Sequence, residues 1–177
     1  MNWYAIFVET GFEDEVCLFI NKRKIQIYNN IEYNLLVPKR RIYERKQGVR
    51  REVTKIMFPG YVLLETNNIN EFYSRTRGGP HIIKFLKNNY NFLEVSVSEI
   101  KQILHMVDNE GFINISQALI MNDRIKITDG PLLGQEGIIK KIDKRKGRAK
   151  VEFTINYNTL LIDLGIDIIQ KVGIEKN

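Results

Sequence analysis

Cysteine is almost absent from this 177-residue chain: Cys17 stands alone, so no internal disulfide can form. Histidine is nearly as scarce, and His81 and His105 lie too far apart in sequence to build a zinc site with Cys17. The N-terminus has neither the basic start nor the apolar core of a signal peptide, and no apolar run approaches the length of a membrane span. A cytoplasmic protein with no membrane partner is therefore expected, and in that compartment the glycosylation match Asn114-Ile115-Ser116 is a chance one. Catalytic constellations are missing as well. No nucleophile is paired with a base, the acidic residues are scattered or sit beside cations, and no glycine-rich loop has the P-loop form. Gly78-Gly79 precedes an expected strand, not a helix, so it is no dinucleotide fingerprint. The expectation is a binding protein with no catalytic residues, cofactor or metal.

What is present is an ordinary globular composition, 44% apolar and 27% charged, with a net charge of +6 and a pI near 9.3. Residues 1–108 carry 16 Lys/Arg against 12 Asp/Glu, and residues 109–177 carry 11 against 9, so both parts are basic. The most apolar stretch is Ile56-Met57-Phe58-Pro59-Gly60-Tyr61-Val62-Leu63-Leu64, bounded by Lys55 and Glu65. Tyr61–Leu64 has strand composition. Pro59 lacks the amide that a central ladder needs, so pairing should begin after it, with Phe58 at the strand's mouth.

Asn2–Val8 reads as a first strand. Phe12, Val16, Phe19, Ile20 and Arg23 then follow helical spacing up to Lys24, with Glu13, Asp14 and Glu15 in the first turn and Lys22, Arg23 and Lys24 in the last. Tyr33–Pro38 is a second strand. After it, 39–51 holds seven cations, Lys39, Arg40, Arg41, Arg45, Lys46, Arg50 and Arg51, against one anion, Glu44. Gly48 marks a hairpin tip, so a cationic ribbon able to track a phosphate backbone is expected, with Tyr43 free to stack on an unpaired base. A solvated loop is the competing reading.

A short helix over Glu71–Arg77 with Asn70 as its cap, a strand at His81–Leu86, and a helix opened by the Ser96-Val97-Ser98-Glu99 capping box follow. Asp108–Met121 shows no sustained periodicity. Beyond it, short strands are expected at Arg124–Thr128, Gly137–Ile142, Arg148–Ile155 and Leu160–Leu164, with a last apolar piece from Ile166 to Val172. Turns at Asp129-Gly130-Pro131 and Lys146-Gly147 separate them. A small barrel of about five strands accounts for this texture. Lys140, Lys141, Lys144, Arg145, Lys146, Arg148 and Lys150 make its second turn strongly basic, either as an RNA surface or as solvated edge lysines.

Phe58-Pro59-Gly60-Tyr61, together with Trp3-Tyr4-Ala5-Ile6, Arg77-Gly78-Gly79-Pro80 and Asp129-Gly130-Pro131 with Gly134 and Gly137, resembles the signature of the NusG family of transcription elongation factors. The last group is similar to a KOW motif. The resemblance implies an α+β protein: an NGN-type α/β sandwich, antiparallel sheet with helices, over 1–108, a linker over 109–121, and a small SH3-like β-barrel, the KOW domain, over 122–177. It implies docking on RNA polymerase through an apolar depression at Phe58 and Pro59, supported by Trp3 and Tyr4; burial in the core is the competing reading for these residues. Non-template DNA contact is implied near Arg75-Thr76-Arg77, where only the threonine of the family's asparagine-threonine-proline is kept. Asn156-Tyr157-Asn158 stands where the family has phenylalanine-glycine-arginine, which speaks against contacts with ribosomal protein S10 and the termination factor Rho. The two cationic hairpins look like those of a specialised paralogue of the LoaP type, a monomeric antiterminator holding RNA polymerase and a nascent leader RNA together. A housekeeping elongation factor without RNA preference and a ribosome-associated KOW protein are the alternatives.

Overall fold

The computed structural model describes residues 1–23, 31–121, 124–155 and 158–169; Lys24, Asn156, Tyr157 and the apolar piece beyond Ile169 lie outside the described residues. By packing, the chain falls into two compact units. One lies chiefly within 1–38 and 56–101, the other within 39–55, 102–154 and 159–169.

The first unit is built on an antiparallel sheet. Strands β1 (Asn2–Val8), β2 (Tyr33–Leu36), β5 (Tyr61–Thr66) and β6 (Ile82–Phe85) run in the order β2-β5-β1-β6, and the short β7 (Glu94–Val95) also pairs with β1. Tyr4 sits opposite Leu64 and Ile6 opposite Val62, so alternation sends Ile6, Val8, Val62 and Leu64 to one face. There they pack with Val16 and Ile20 of α1 (Glu13–Lys22) and Phe72 of α2 (Ile69–Thr76) in a single buried cluster. Trp3, Phe7 and Tyr61 project from the opposite face and stay half-buried, with the Phe7 and Tyr61 ring centroids 5.3 Å apart.

The expected helix at 12–24 is present as α1, with the Arg23 guanidinium 4.6 Å from the Phe19 ring centroid. Glu13 does more than complement the helix dipole. Its carboxylate is fully buried and accepts the Gly11 N–H at 2.8 Å and the Gly60 N–H at 2.7 Å, tying the helix start to the Phe58-Pro59-Gly60 turn. Helix α2 is capped by Asn68, not Asn70: the Asn68 side chain accepts the Glu71 N–H at 3.1 Å, which starts the helix at Ile69. At α3 (Val97–Met106) the capping box forms as expected, with the Ser96 N–H donating to Glu99 at 2.9 Å and the Glu99 N–H to the Ser96 hydroxyl at 3.3 Å.

The chain leaves the first unit after Pro38 and returns at Ile56. Between them β3 (Lys39–Lys46) and β4 (Val49–Ile56) form the expected hairpin, closed at Gln47-Gly48, where both residues take positive φ as a tight two-residue turn demands. Strand β3 also pairs in parallel with β8 (Phe112–Ile113), Lys39 opposite Phe112 and Arg40 opposite Ile113. The ribbon therefore belongs to the second unit.

That unit's main sheet has the order β10-β9-β13-β12-β11, from β9 (Ser116–Met121), β10 (Arg124–Asp129), β11 (Ile139–Asp143), β12 (Arg148–Ile155) and β13 (Asn158–Ile169). Residues 109–121, expected as a linker, instead supply β8 and β9, and β9 lies inside the sheet, antiparallel to β10 and parallel to β13. Its buried positions alternate with partner contacts on both edges, and Ser116, fully buried, satisfies its hydroxyl by accepting the Leu132 N–H at 3.0 Å. The two apolar pieces expected at Leu160–Leu164 and from Ile166 are one continuous strand through Gly165. Along β12, Ala149, Val151 and Phe153 are buried and Lys150, Glu152 and Thr154 are only half-buried, the alternation expected from the sequence. No helix among the described residues is long and apolar enough to cross a membrane.

Candidate nucleic-acid interface

The two basic hairpins are far apart in sequence, yet the second unit brings them together. Tyr43, Glu44, Arg45 and Arg50 of the β3–β4 hairpin, Lys144–Arg148 of the β11–β12 turn and Ile166–Ile168 of β13 line one cleft of about 580 Å³. Arg45, Lys46, Lys144, Arg145 and Lys146 are exposed, and among the described residues no carboxylate lies in ion-pair range of Arg45, Lys46 or Lys144. A second hollow of about 180 Å³ shares Lys146 and Arg148 with the first and adds Lys141, Asp143, Lys150 and Asp163, so the cationic surface is continuous.

The convergence has a steric cause. Gly165 is where β3 crosses β13: a Cβ there would stand 2.5 Å from the Arg41 carbonyl oxygen and 2.9 Å from Ile115. Only a residue without a side chain allows that approach. The Ile166 N–H donates to the Gly147 carbonyl at 3.0 Å, which holds the β11–β12 turn against β13. Arg148 donates to the Tyr43 carbonyl and Arg40 to the Asp163 carbonyl, so both guanidinium groups act as struts between the hairpin and the sheet.

The expected contact residues thus divide by role. Arg40 is half-buried, its Nε has no partner among the described residues, and burial lowers its pKa, opposed by Asp163. It is a strut and not a surface contact. Arg41 lies 5.0 Å over the Phe112 ring and 3.7 Å from Glu52, and Lys39 lies 5.9 Å from the same ring. Lys140 pairs with Glu152 at 3.0 Å and Lys150 with Asp163 at 3.3 Å, while Arg51 and Lys141 are exposed. Arg50 is held on two sides. Its guanidinium carbon lies 3.5 Å from the Tyr43 ring centroid, and Nη2 is 3.0 Å from Asp167. At the turn itself the Asp143 carboxylate lies below the usual range because it accepts the Lys146 N–H at 2.9 Å, helped by the charges of Lys146 and Arg145.

In the first unit, Thr76 does not reach solvent. It is fully buried and its hydroxyl donates to the Phe72 carbonyl at 2.8 Å, so the one family residue kept in Arg75-Thr76-Arg77 serves the helix. Arg75 pairs with Glu71 at 2.8 Å, and its carbonyl accepts from Arg23. Arg77 is exposed and lines a hollow of about 250 Å³ with Tyr73, Lys84 and Lys87.

The expected apolar anchor is corrected too. Phe58 is only 3% exposed, and Tyr4 is 7% exposed with its hydroxyl 3.2 Å from Glu94; burial raises its phenol pKa. Presenting Phe58 to a partner would forfeit about 1.5–3 kcal/mol of burial. Pro59 is exposed and Trp3 half-buried. Missed by sequence reasoning were Asp167, Gly165 and the Tyr43–Arg50 stack; a lone glycine inside an apolar strand pattern was the available signal.

Comparison with known proteins agrees with this architecture. A family model described as transcription termination factor NusG matches residues 1–104, and one described as KOW motif matches residues 121–152. Among curated proteins, the chain is 24% identical to the transcription termination/antitermination protein NusG of Haemophilus influenzae, covering 97% of this chain and 94% of that one. It is 23% identical to the protein of the same description from Escherichia coli strain K12, with 96% of each chain covered. A solved structure of Thermotoga maritima NusG, described by its domain interaction, superposes with a TM-score of 0.52 at 22% identity over 93% of each chain, a likeness of fold.

Proposed function

Since this chain belongs to the NusG family of transcription termination and antitermination factors, we propose that it is an antiterminating member which holds nascent RNA in the basic cleft of its second unit and RNA polymerase on its first. The observation that carries this reading is the meeting of Arg45, Lys144, Arg145 and Lys146 in one cleft from two hairpins separated by almost a hundred residues. A lone lysine-rich strand edge discourages sheet pairing and needs no ligand. Cations drawn from two elements into one concave surface repel one another, and a polyanion relieves that repulsion while releasing its condensed counterions.

For RNA polymerase, the support lies on the sheet face that carries Trp3, Phe7 and Tyr61, with Pro59 exposed at the mouth of β5. Half-buried aromatic side chains on a rigid sheet are the kind of residue that dominates interfaces. Phe58 is buried in the turn that precedes β5. Non-template DNA contact rests on Arg77 and the neighbouring Lys84 and Lys87, without Thr76.

The test is in vitro transcription past a terminator on a template encoding the leader RNA, with the wild type and with Lys144→Glu/Arg145→Glu. The expected result is readthrough with the wild type and its loss with the variant at unchanged melting temperature. Equal readthrough by both would remove the cleft from the mechanism.

A further inference from the structure

We propose that Arg50 is a base-reading residue, selecting an unpaired guanine in the RNA bound by this cleft, while the exposed cations around it take phosphates. The inference rests on the RNA reading above and adds a ligand feature to it.

Arg50 differs from the exposed cations around it, Arg45, Lys144 and Lys146, in being fixed by its side-chain partners. Its guanidinium carbon lies 3.5 Å from the Tyr43 ring centroid, over the ring, and Nη2 meets Asp167 at 3.0 Å. Tyr43 is itself anchored, since its carbonyl accepts from Arg148. Both partners of the ion pair keep 43% of their side-chain surface exposed, and Tyr43, Arg50 and Asp167 all line the cleft. Stack and ion pair together set the plane of the guanidinium before any ligand arrives. A planar fork with donors to spare matches a pair of acceptors, and among the bases guanine offers such a pair in O6 and N7.

Charge argues against phosphate at this position. Asp167 neutralises Arg50 and would repel a phosphate brought to the same edge, whereas a neutral base carries no such penalty. Arg45 and Lys144, which have no carboxylate in ion-pair range among the described residues, suit phosphates better. The narrow major groove of an RNA helix hides the guanine edge, so the target must sit in a loop, bulge or single-stranded end.

The test uses the full chain and a short RNA hairpin with one loop guanine, alongside hairpins in which that base is adenine or 7-deazaguanine. The wild type is expected to bind the guanine hairpin roughly ten-fold or more tightly than either relative, the size of a good bidentate contact. Arg50→Lys, which keeps the charge, should bind all three alike. Asp167→Asn should raise affinity for every RNA and narrow the preference, because it frees a positive charge; a merely structural strut would not produce that gain. Melting curves confirm that both variants fold. Equal wild-type affinity for the three hairpins, or a preference that survives Arg50→Lys, overturns base reading and leaves the cleft's RNA binding intact. No binding to any hairpin overturns both.

Discussion

Glu13 and Gly60 are joined at 2.7 Å by a hydrogen bond from the glycine amide to a fully buried carboxylate, which also takes the Gly11 amide at 2.8 Å. One side chain thus closes the start of α1 and the turn before β5. Glu13→Ala would strand the buried Gly60 amide and is expected to cost about 1–3 kcal/mol, whereas the amide of the exposed Gly11 can turn to water. Urea unfolding followed by circular dichroism reads that loss as a lower midpoint.

Phe58 yields a prediction that separates core from anchor. Buried at 3% exposure, the ring should behave as core, so Phe58→Ala is expected to cost about 3–5 kcal/mol of stability. Calorimetry should show a clear drop in melting temperature. A variant that melts like the wild type yet fails to capture RNA polymerase would restore Phe58 as a surface anchor.

Gly165 tests the convergence of the two hairpins. A Cβ at 2.5 Å from the Arg41 carbonyl oxygen forces β3 and β13 apart. Gly165→Ala should destabilise the second unit by about 1–3 kcal/mol and weaken RNA binding although no cation is touched. Affinity and melting temperature measured on the same preparation check both effects.

Asp108 adds an acid-sensitive contribution to stability. Its pKa is lowered chiefly by the Phe112 N–H, donated at 2.9 Å, with further help from Asn114 at 2.9 Å, the Glu110 N–H and the charge of Arg41. A carboxylate whose folded pKa is depressed contributes stability above its unfolded value, near 3.9, and loses that contribution as pH falls through the folded value. Melting temperature should therefore fall as pH drops below about 4. Asp108→Asn should be less stable near neutrality and show a shallower fall.

Local features were legible in the sequence and non-local ones were not. The capping box at Ser96 and Glu99, the tip at Gly48 and the alternation through Val151 and Phe153 each depend on neighbours within a few residues, and each is present. The cap is Asn68 and not Asn70 because a cap is fixed by where the backbone turns, and residue type alone does not choose among Asn67, Asn68 and Asn70. Ser116–Met121 hid its strand because the buried positions are filled by Ser116 and Ala118 while the larger Leu119 and Ile120 are only half-buried, so residue type does not display the alternation that burial does. The cleft was half legible: both cationic hairpins could be read, but their meeting depends on β3 beside β8 and on Gly165, contacts between distant segments. Burial of Phe58 and Thr76 was hidden for a related reason, since residue type marks an apolar ring or a hydroxyl without fixing which way it faces.

The most direct measurement is the salt dependence of RNA affinity for the wild type and for a variant with Arg45, Lys144 and Arg145 all changed to alanine. The cleft account predicts weaker binding by the variant, with the slope of log affinity against log salt reduced by roughly 2. An unchanged slope, with wild-type affinity at low salt, would contradict it.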